Sequence, residues 1–281
     1  YEEDIIYVLQ TKYQRIIVTK WKEEINLFLD GNLQFCSLDE YRYHETLVHP
    51  AITMSSSREN ILLLGGGDGL ALREILKYKD VKTITLVDID PEMIELCSTH
   101  PLIVSLNKNS LKDTKVKYIA QDAWKFINDT DKLFDVIIID LPDPGNEKLS
   151  KLYSNTFYNM LGHHLSRGGI IAVQSTSTFF STKTFWCIYN TIEKAGFHVK
   201  PIHTLVPSFG DWGFVLASNE KPDPGRCRIE VPLKYLNEET MKSIFHFSED
   251  IQRRETMVNT LDNSIVTYYY NEDWSKWNEN D

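Results

Sequence analysis

Several aspartates of this chain stand where an apolar run gives way to a turn, and that placement can assemble a site for a positively charged ligand. In ILLLGGGDG, residues 61–69, four apolar residues lead into three glycines and Asp68. Gly65, Gly67 and Gly69 let the backbone approach a ligand closely at the turn before a helix. A dinucleotide would rest its pyrophosphate on that helix N-terminus. Asp68 at ~4 Å would repel it by on the order of 1 to 4 kcal/mol, whereas an ammonium would be attracted.

A ligand with a nucleoside at one end, an amine at the other and a sulfonium between meets both conditions, and S-adenosylmethionine and its relatives have that form. The plainer alternative is a tight turn whose acid caps the helix. Further along, TITLVDID ends a second apolar run on Asp88, from which a carboxylate can accept both ribose hydroxyls; the alternative is a cap for the helix starting near Pro91. In Gln121-Asp122-Ala123 a carboxylate can accept from an adenine amino group, or cap the next helix. VIIIDLPDP is the most informative stretch. It delivers Asp140 to the end of a fourth apolar run and Asp143 three residues on, in a loop stiffened by Pro142 and Pro144. Two carboxylates there can bind a cation and receive a proton; the alternative is an Asx turn that stops the strand.

Such acids need a parallel sheet to present them. Apolar runs at 61–64, 83–88, 115–119, 134–140 and 168–174 alternate with stretches of helical period such as LALREILKYK and PEMIELCS, a pattern that implies crossover connections. Runs near 197–203 and 212–218 are joined by LVPSFGDWG, too short for a helix, so they are expected to pair antiparallel. The expected fold is α/β: a doubly wound, class I methyltransferase-like sheet with an antiparallel last strand. In it the first and fourth strands lie side by side at the switch point, so that Asp140 faces Asp68 across the ligand. Upstream, short β runs flank the turn Asp30-Gly31-Asn32. Residues 1–50 are expected to form a small β-hairpin subdomain, in which Asp39 caps a short helix that Pro50 closes. Residues 51–218 are expected to form the adenosyl-binding catalytic domain. Residues 219–281 make a C-terminal extension ending in YYYNEDWSKWNEND, a peripheral tail or a partner surface.

The chain has 281 residues, 42% of them hydrophobic, which is enough for a substantial core. A net charge of −10 disfavours a nucleic-acid partner. Cys36, Cys97, Cys187 and Cys227 are scattered, without the spacing of a zinc site or a disulfide framework, so no metal and a reducing, cytoplasmic compartment are expected. No run approaches the roughly 18 apolar residues of a membrane-spanning helix, and no signal peptide is read. The start at Tyr1 rather than Met raises the expectation that something upstream has been removed.

Taken in order, these motifs resemble the polyamine aminopropyltransferases, the spermidine synthase family. The resemblance runs from about 13 to 218: YQ at 13–14, LDGNLQ at 29–34, DEYRYHE at 39–45, GGGDG at 65–69 followed by Arg73-Glu74, VDID at 87–90, DA at 122–123, D-x-x-DP at 140–144, YS-x-x-FY at 153–158 and Gln174-Ser175. LPDP, FWCIYNTIE and VPSFGDWGF look most like the branch attached to membrane-spanning segments. The resemblance implies Asp140 as proton acceptor, with Asp143, Tyr43 and His44 near the amine. It implies Gln14, Asp68, Asp88 and Asp122-Ala123 as holders of the adenosyl substrate and its thioether product, and Gln34 as a further substrate contact. Tyr43 and His44 could equally be packing residues. The co-substrate would be S-adenosylmethionine or its decarboxylated form, with no tightly bound cofactor. The partner would be a small amine or none, and the assembly a homo-oligomer, dimer or tetramer.

Three departures bear on the acceptor. Leu141-Pro142 stands between the two acids where the family carries small hydroxyl residues or Cys. Gly145-Asn146-Glu147 replaces a Gly-Pro run, and Pro207-Ser208-Phe209 replaces Pro-Thr-Tyr. They imply a pocket drier and poorer in hydrogen bonds than one built for putrescine. Three other readings share the sheet: methyl transfer, acceptor-free cyclisation or cleavage of S-adenosylmethionine, and a non-catalytic nucleoside-sensing domain.

Overall fold

The computed structural model describes residues 3–278. Its N-terminal part is an antiparallel sheet in chain order: β1 (Asp4–Gln10), β2 (Arg15–Trp21), β3 (Glu24–Leu29) and β4 (Asn32–Cys36). The Asp30-Gly31 turn joins the last two, with Asp30 and Gly31 both at positive φ. The inner face of β2 and β3, with Ile16, Val18, Ile25 and Leu27, packs on Leu70, Met93, Leu96 and Ile103. This fixes the small sheet over the helices that follow the glycine loop.

Helix α1 (Glu40–Met54) leads into the main domain. The expected closure at Pro50 is not what the structure shows: Pro50 lies inside the helix, which runs on to Met54. A proline costs a helix one backbone bond, but every residue from Tyr43 to Met54 is buried, and tertiary packing overrides the local penalty. Nor does Asp39 cap the helix with its side chain. Its carboxylate instead accepts from the Ser208 amide at 2.7 Å and the Ser208 hydroxyl at 2.9 Å, tying a distant turn to the start of α1.

The main sheet is built from β5 (Asn60–Gly65), β6 (Thr83–Asp88), β7 (Val116–Ala120), β8 (Phe134–Asp140), β9 (Leu165–Ser177), β10 (His198–Val206) and β11 (Gly210–Ser218), in the spatial order β10-β11-β9-β8-β5-β6-β7. Neighbours from β7 to β9 are parallel, and β11 pairs antiparallel with both β9 and β10. Strands covered on both faces read as unbroken apolar runs. Accordingly β8 is buried from Phe134 to Ile139. Alternation sends Leu62, Leu64, Ile137 and Ile139 to one core and Ile61, Leu63, Val136 and Ile138 to the other.

The crossovers carry α2 (Leu70–Ile75), α3 (Pro91–Thr99), α4 (Pro101–Asn107), α5 (Ala123–Asp129), α6 (Glu147–Ser150), α7 (Asn155–His163) and α8 (Thr182–Lys194). After β11 come α9 (Glu238–Ser243) and α10 (Ile265–Asn278). Helix α10 is docked rather than trailing. Val266 and Tyr269 enter the core, and buried Asp273 accepts from the Thr184 amide and hydroxyl at 3.1 and 3.0 Å. The last residues of the YYYNEDWSKWNEND stretch lie outside the described residues.

Candidate active site

Chain order reverses between β5 and β8, so the switch-point crevice opens where these strands end. Gly65 is directly opposite Asp140 in the ladder. At φ +76°, Gly65 adopts a backbone that side chains avoid, and a Cβ there would collide with the Asp140 carbonyl oxygen. Gly67 is glycine for another reason: its φ is ordinary, but a Cβ would sit 2.7 Å from Asp88 Oδ2. The loop therefore brings bare backbone against the Asp88 carboxylate.

Asp68 accepts from the Leu70 amide at 2.8 Å in the turn before α2, whose N-cap is Gly69, while its charge acts on Asp88 and Asp140. Asp88 accepts from the Asp90 amide at 2.9 Å, and it is Asp90 that caps α3, accepting from Glu92 at 3.1 Å. All four acids of the crevice are shifted upward. Burial raises Asp68, against the charge of His44 and the Leu70 amide. Burial takes Asp88 to about 6, opposed by the Asp90 and Gly67 amides and helped by the charges of Asp90 and Asp68. Burial likewise takes Asp140 to about 6; His44 and the Tyr43 hydroxyl pull it down, and Asp68 pushes it up. Burial raises Asp143 against three donors, Gln174, Thr176 and Tyr270. Carboxyls crowded and dried in this way lower their energy when a cation arrives.

Two residues of α1 complete the Asp140 side. Tyr43 donates its hydroxyl to Asp140 Oδ1 at 2.6 Å, and burial first, then the charge of Asp140, keeps that phenol protonated. His44 Nδ1 bonds the Glu40 carbonyl at 2.7 Å and Glu40 Oε2 at 2.9 Å. Burial disfavours the charged ring, but Glu40, with help from Asp68 and Asp140, holds His44 at about 9. Arg73 grips both oxygens of Glu40, at 2.8 and 2.9 Å. Tyr43 thus bonds a crevice acid directly, whereas the bonds of His44 run to Glu40 and only its charge bears on Asp68 and Asp140.

Asp143 sits in a cradle made by β9. Gln174 Nε2 donates to Asp143 Oδ1 at 2.9 Å and to the Leu141 carbonyl at 2.7 Å, and Thr176 donates to Asp143 Oδ2 at 3.0 Å. Thr176 has φ +63°, a strained conformation for a β-branched residue, and such strain concentrates at functional sites. Tyr153 adds a hydroxyl bond to the Pro142 carbonyl at 3.0 Å. Phe209 and Trp212 stand beside Tyr43, their ring centroids 6.0 and 6.4 Å from it.

The remaining candidates are placed differently. Gln14 donates to Asp90 Oδ2 at 2.9 Å, next to the Asp88 end of the crevice. Asp122 caps α5 through the Lys125 amide and pairs with Lys151 at 2.9 Å, and Ala123 is in the core. Gln34 donates to the Asn32 carbonyl at 3.2 Å; among the described residues no bond joins it to the acids. Sequence patterning gives no role to Glu40, Arg73, Gln174, Thr176, Trp212 or Tyr270. Their patterning signals burial or packing, and only the fold brings them to the acids.

A family model described as the spermine/spermidine synthase domain matches residues 40–225. Polyamine aminopropyltransferases of Leptospira interrogans and Ralstonia nicotianae are 47% and 42% identical, over 98% and 97% of this chain and 55% and 54% of their own length. The chain thus spans about half the length of the curated relatives it matches. Crystal structures of a spermidine synthase in complex with the transition state analogue AdoDATO and of spermidine synthase from Thermotoga maritima superpose with TM-scores of 0.80 and 0.78, both at 26% identity. They cover 87% of this chain and 86% and 85% of theirs. With its glycine loop, its four crevice acids and these relatives, the chain belongs to the spermine/spermidine synthase family.

Proposed function

We propose that this chain transfers an aminopropyl group from decarboxylated S-adenosylmethionine to an amine, releasing 5'-methylthioadenosine. The observation that carries the reading is Asp140, a half-buried carboxyl at about 6 with Tyr43 on one oxygen, beside Asp143 in its cradle. In this reading Asp88 and the glycine loop hold the ribose, with Gln14 nearby through Asp90. Asp122 and Ala123 border the adenine, and Gln34 is a peripheral substrate contact. Asp68 neutralises positive charge on the donor. A carboxylate on the donor's propyl arm would meet Asp68, Asp140 and Asp143 together, so the decarboxylated form fits better than S-adenosylmethionine itself.

Asp143 and Asp140 hold the acceptor ammonium. Moving a proton from a free amine of pKa ~10.4 to a carboxylate near 6 is uphill by about 6 kcal/mol, and drying the ammonium between Leu141, Phe209 and Trp212 reduces that difference. A carboxylate near 6 is matched to general-base work at neutral pH. Charge is lost at sulfur as the carbon–nitrogen bond forms, which a dry site also favours. Phe209, with a ring and no hydroxyl, supports a bulkier acceptor than putrescine. Calorimetric titration tests the adenosyl site: methylthioadenosine binding without NAD binding is expected, and the reverse overturns it.

Exposed Ile5, Ile6 and Val8 on the edge strand β1 support a homo-oligomer, dimer or tetramer, and the four free cysteines support a reducing, cytoplasmic setting. The LPDP, FWCIYNTIE and VPSFGDWGF spellings support membership of the branch attached to membrane-spanning segments. No helix among the described residues is long and apolar enough to cross a membrane. As to organisation, we take residues 1–50 as the hairpin subdomain, 51–218 as the adenosyl-binding domain and 219–281 as the extension.

A further inference from the structure

We infer that the C-terminal helix α10 clamps the acidic loop 141–146, and that Tyr270 on it is a positioning residue for Asp143 and therefore for the acceptor amine. The inference deepens the proposed function and rests on that reading for the identity of the ligand. Residues of β9 hold Asp143 from the sheet side. The outer side of the loop is held from α10. The Tyr270 ring lies against Gly145, 3.4 Å from where a Cβ would stand. Thr267, one turn earlier on the same face, donates to the Asn146 carbonyl at 3.2 Å. Just before α10, buried Asn259 donates to the Ser150 carbonyl at 3.0 Å and accepts from the Val266 amide at 3.2 Å. Positions 145, 146 and 150 are thus tied in turn to the helix or its entry.

The helix is itself firmly rooted. Asp273 accepts from Thr184 as described, Glu272 pairs with Lys183 at 2.8 Å, and Trp277 Nε1 donates to the Phe180 carbonyl at 3.1 Å. A loop carrying Pro142 and Pro144 has few conformations, and a ring seated on Gly145 selects among them. The Tyr270 hydroxyl also bears on Asp143: burial, then the charge of Asp143, keeps the phenol protonated, so that what it can offer the carboxylate is its O–H. An amine held by Asp143 would then depend on a side chain far along the chain, while the adenosyl end, on β5 and β6, would not.

The test uses the whole chain and two variants, Tyr270→Phe, which keeps the ring, and Tyr270→Ala, which removes it. Tyr270→Phe is expected to raise the amine KM about three- to tenfold, the range of one net hydrogen bond, with kcat and methylthioadenosine affinity changed less than about twofold. Tyr270→Ala should raise KM further and increase hydrogen–deuterium exchange across 143–150 without lowering protection of β5. Unchanged amine KM in both variants overturns the inference, as does an equal loss of methylthioadenosine affinity. If the parent protein shows no amine-dependent turnover, the proposed function fails by itself. Exchange across 143–150 then still decides the clamp, and protection unaltered by Tyr270→Ala contradicts it.

Discussion

Replacing Asp140 by Asn should stabilise the free protein while abolishing its chemistry. The carboxyl stands at about 6 in the folded chain and near ~3.9 when unfolded. A carboxyl raised by folding contributes stability that is fully present below the unfolded value and lost as pH rises through the folded one. At pH 8 the ionised group costs up to about 3 kcal/mol, two units at 1.36 kcal/mol each; partial exposure reduces this to about 1 to 3 kcal/mol. Asn removes that cost and still accepts the Tyr43 hydroxyl. Urea unfolding at pH 8 should therefore show Asp140→Asn more stable by that amount, and the gain should shrink to about half at pH 5. Turnover should fall by about 10²-fold or more if the carboxylate takes the proton, with methylthioadenosine binding kept. In the parent, kcat/KM should decline as pH drops below about 6, where Asp140 becomes protonated. Full kcat in the variant, or a loss of stability at pH 8, would refute the reasoning.

Two further substitutions probe the two ends of the crevice. Gly67→Ala places a methyl 2.7 Å from Asp88 Oδ2 at an ordinary φ, so the chain should fold while methylthioadenosine affinity falls about ten- to a hundredfold, the value of a hydrogen bond to a charged group; calorimetry showing unchanged affinity removes Asp88 from the ribose site. Phe209→Tyr adds a hydroxyl beside Tyr43 and should improve putrescine use by about tenfold or more, measured as kcat/KM. Efficient use of putrescine by the parent, near ~10⁴ M⁻¹s⁻¹, would show that the missing hydroxyl does not matter.

Strands β5 and β8 were legible because a parallel sheet buried on both faces writes them as continuous apolar runs, and Asp88 and Asp140 could be placed because each stands where an apolar run stops. The 65–69 glycines were legible for the same reason, although only the structure separates Gly65, required by its backbone angle, from Gly67, required by the nearness of Asp88. Local rules misled at α1. Pro50 and Asp39 carry ordinary stop and cap signals, but burial of the helix and the Ser208 turn outweigh them. The cradle of Asp143 was hidden because its parts come from separate strands and a distant helix. Thr176 takes a left-handed angle that its residue type argues against, and Tyr270 reads as one aromatic among many in an extension without strand signals. Arg73 and Glu40 were visible as motif residues, but the grip of Arg73 on Glu40, which in turn holds His44, depends on α1 packing against α2.

The central claim is that Asp140 and its neighbours serve aminopropyl transfer to an amine. Incubating the chain with decarboxylated S-adenosylmethionine and separately with S-adenosylmethionine, with and without a panel of amines, and identifying each adenosyl and amine product by mass spectrometry, tests it most directly. Methylthioadenosine appearing together with an amine heavier by one aminopropyl group, from the decarboxylated donor and lost in Asp140→Asn, is the predicted result. S-adenosylhomocysteine as the product, methylthioadenosine without any amine adduct, or no turnover with either donor would contradict it.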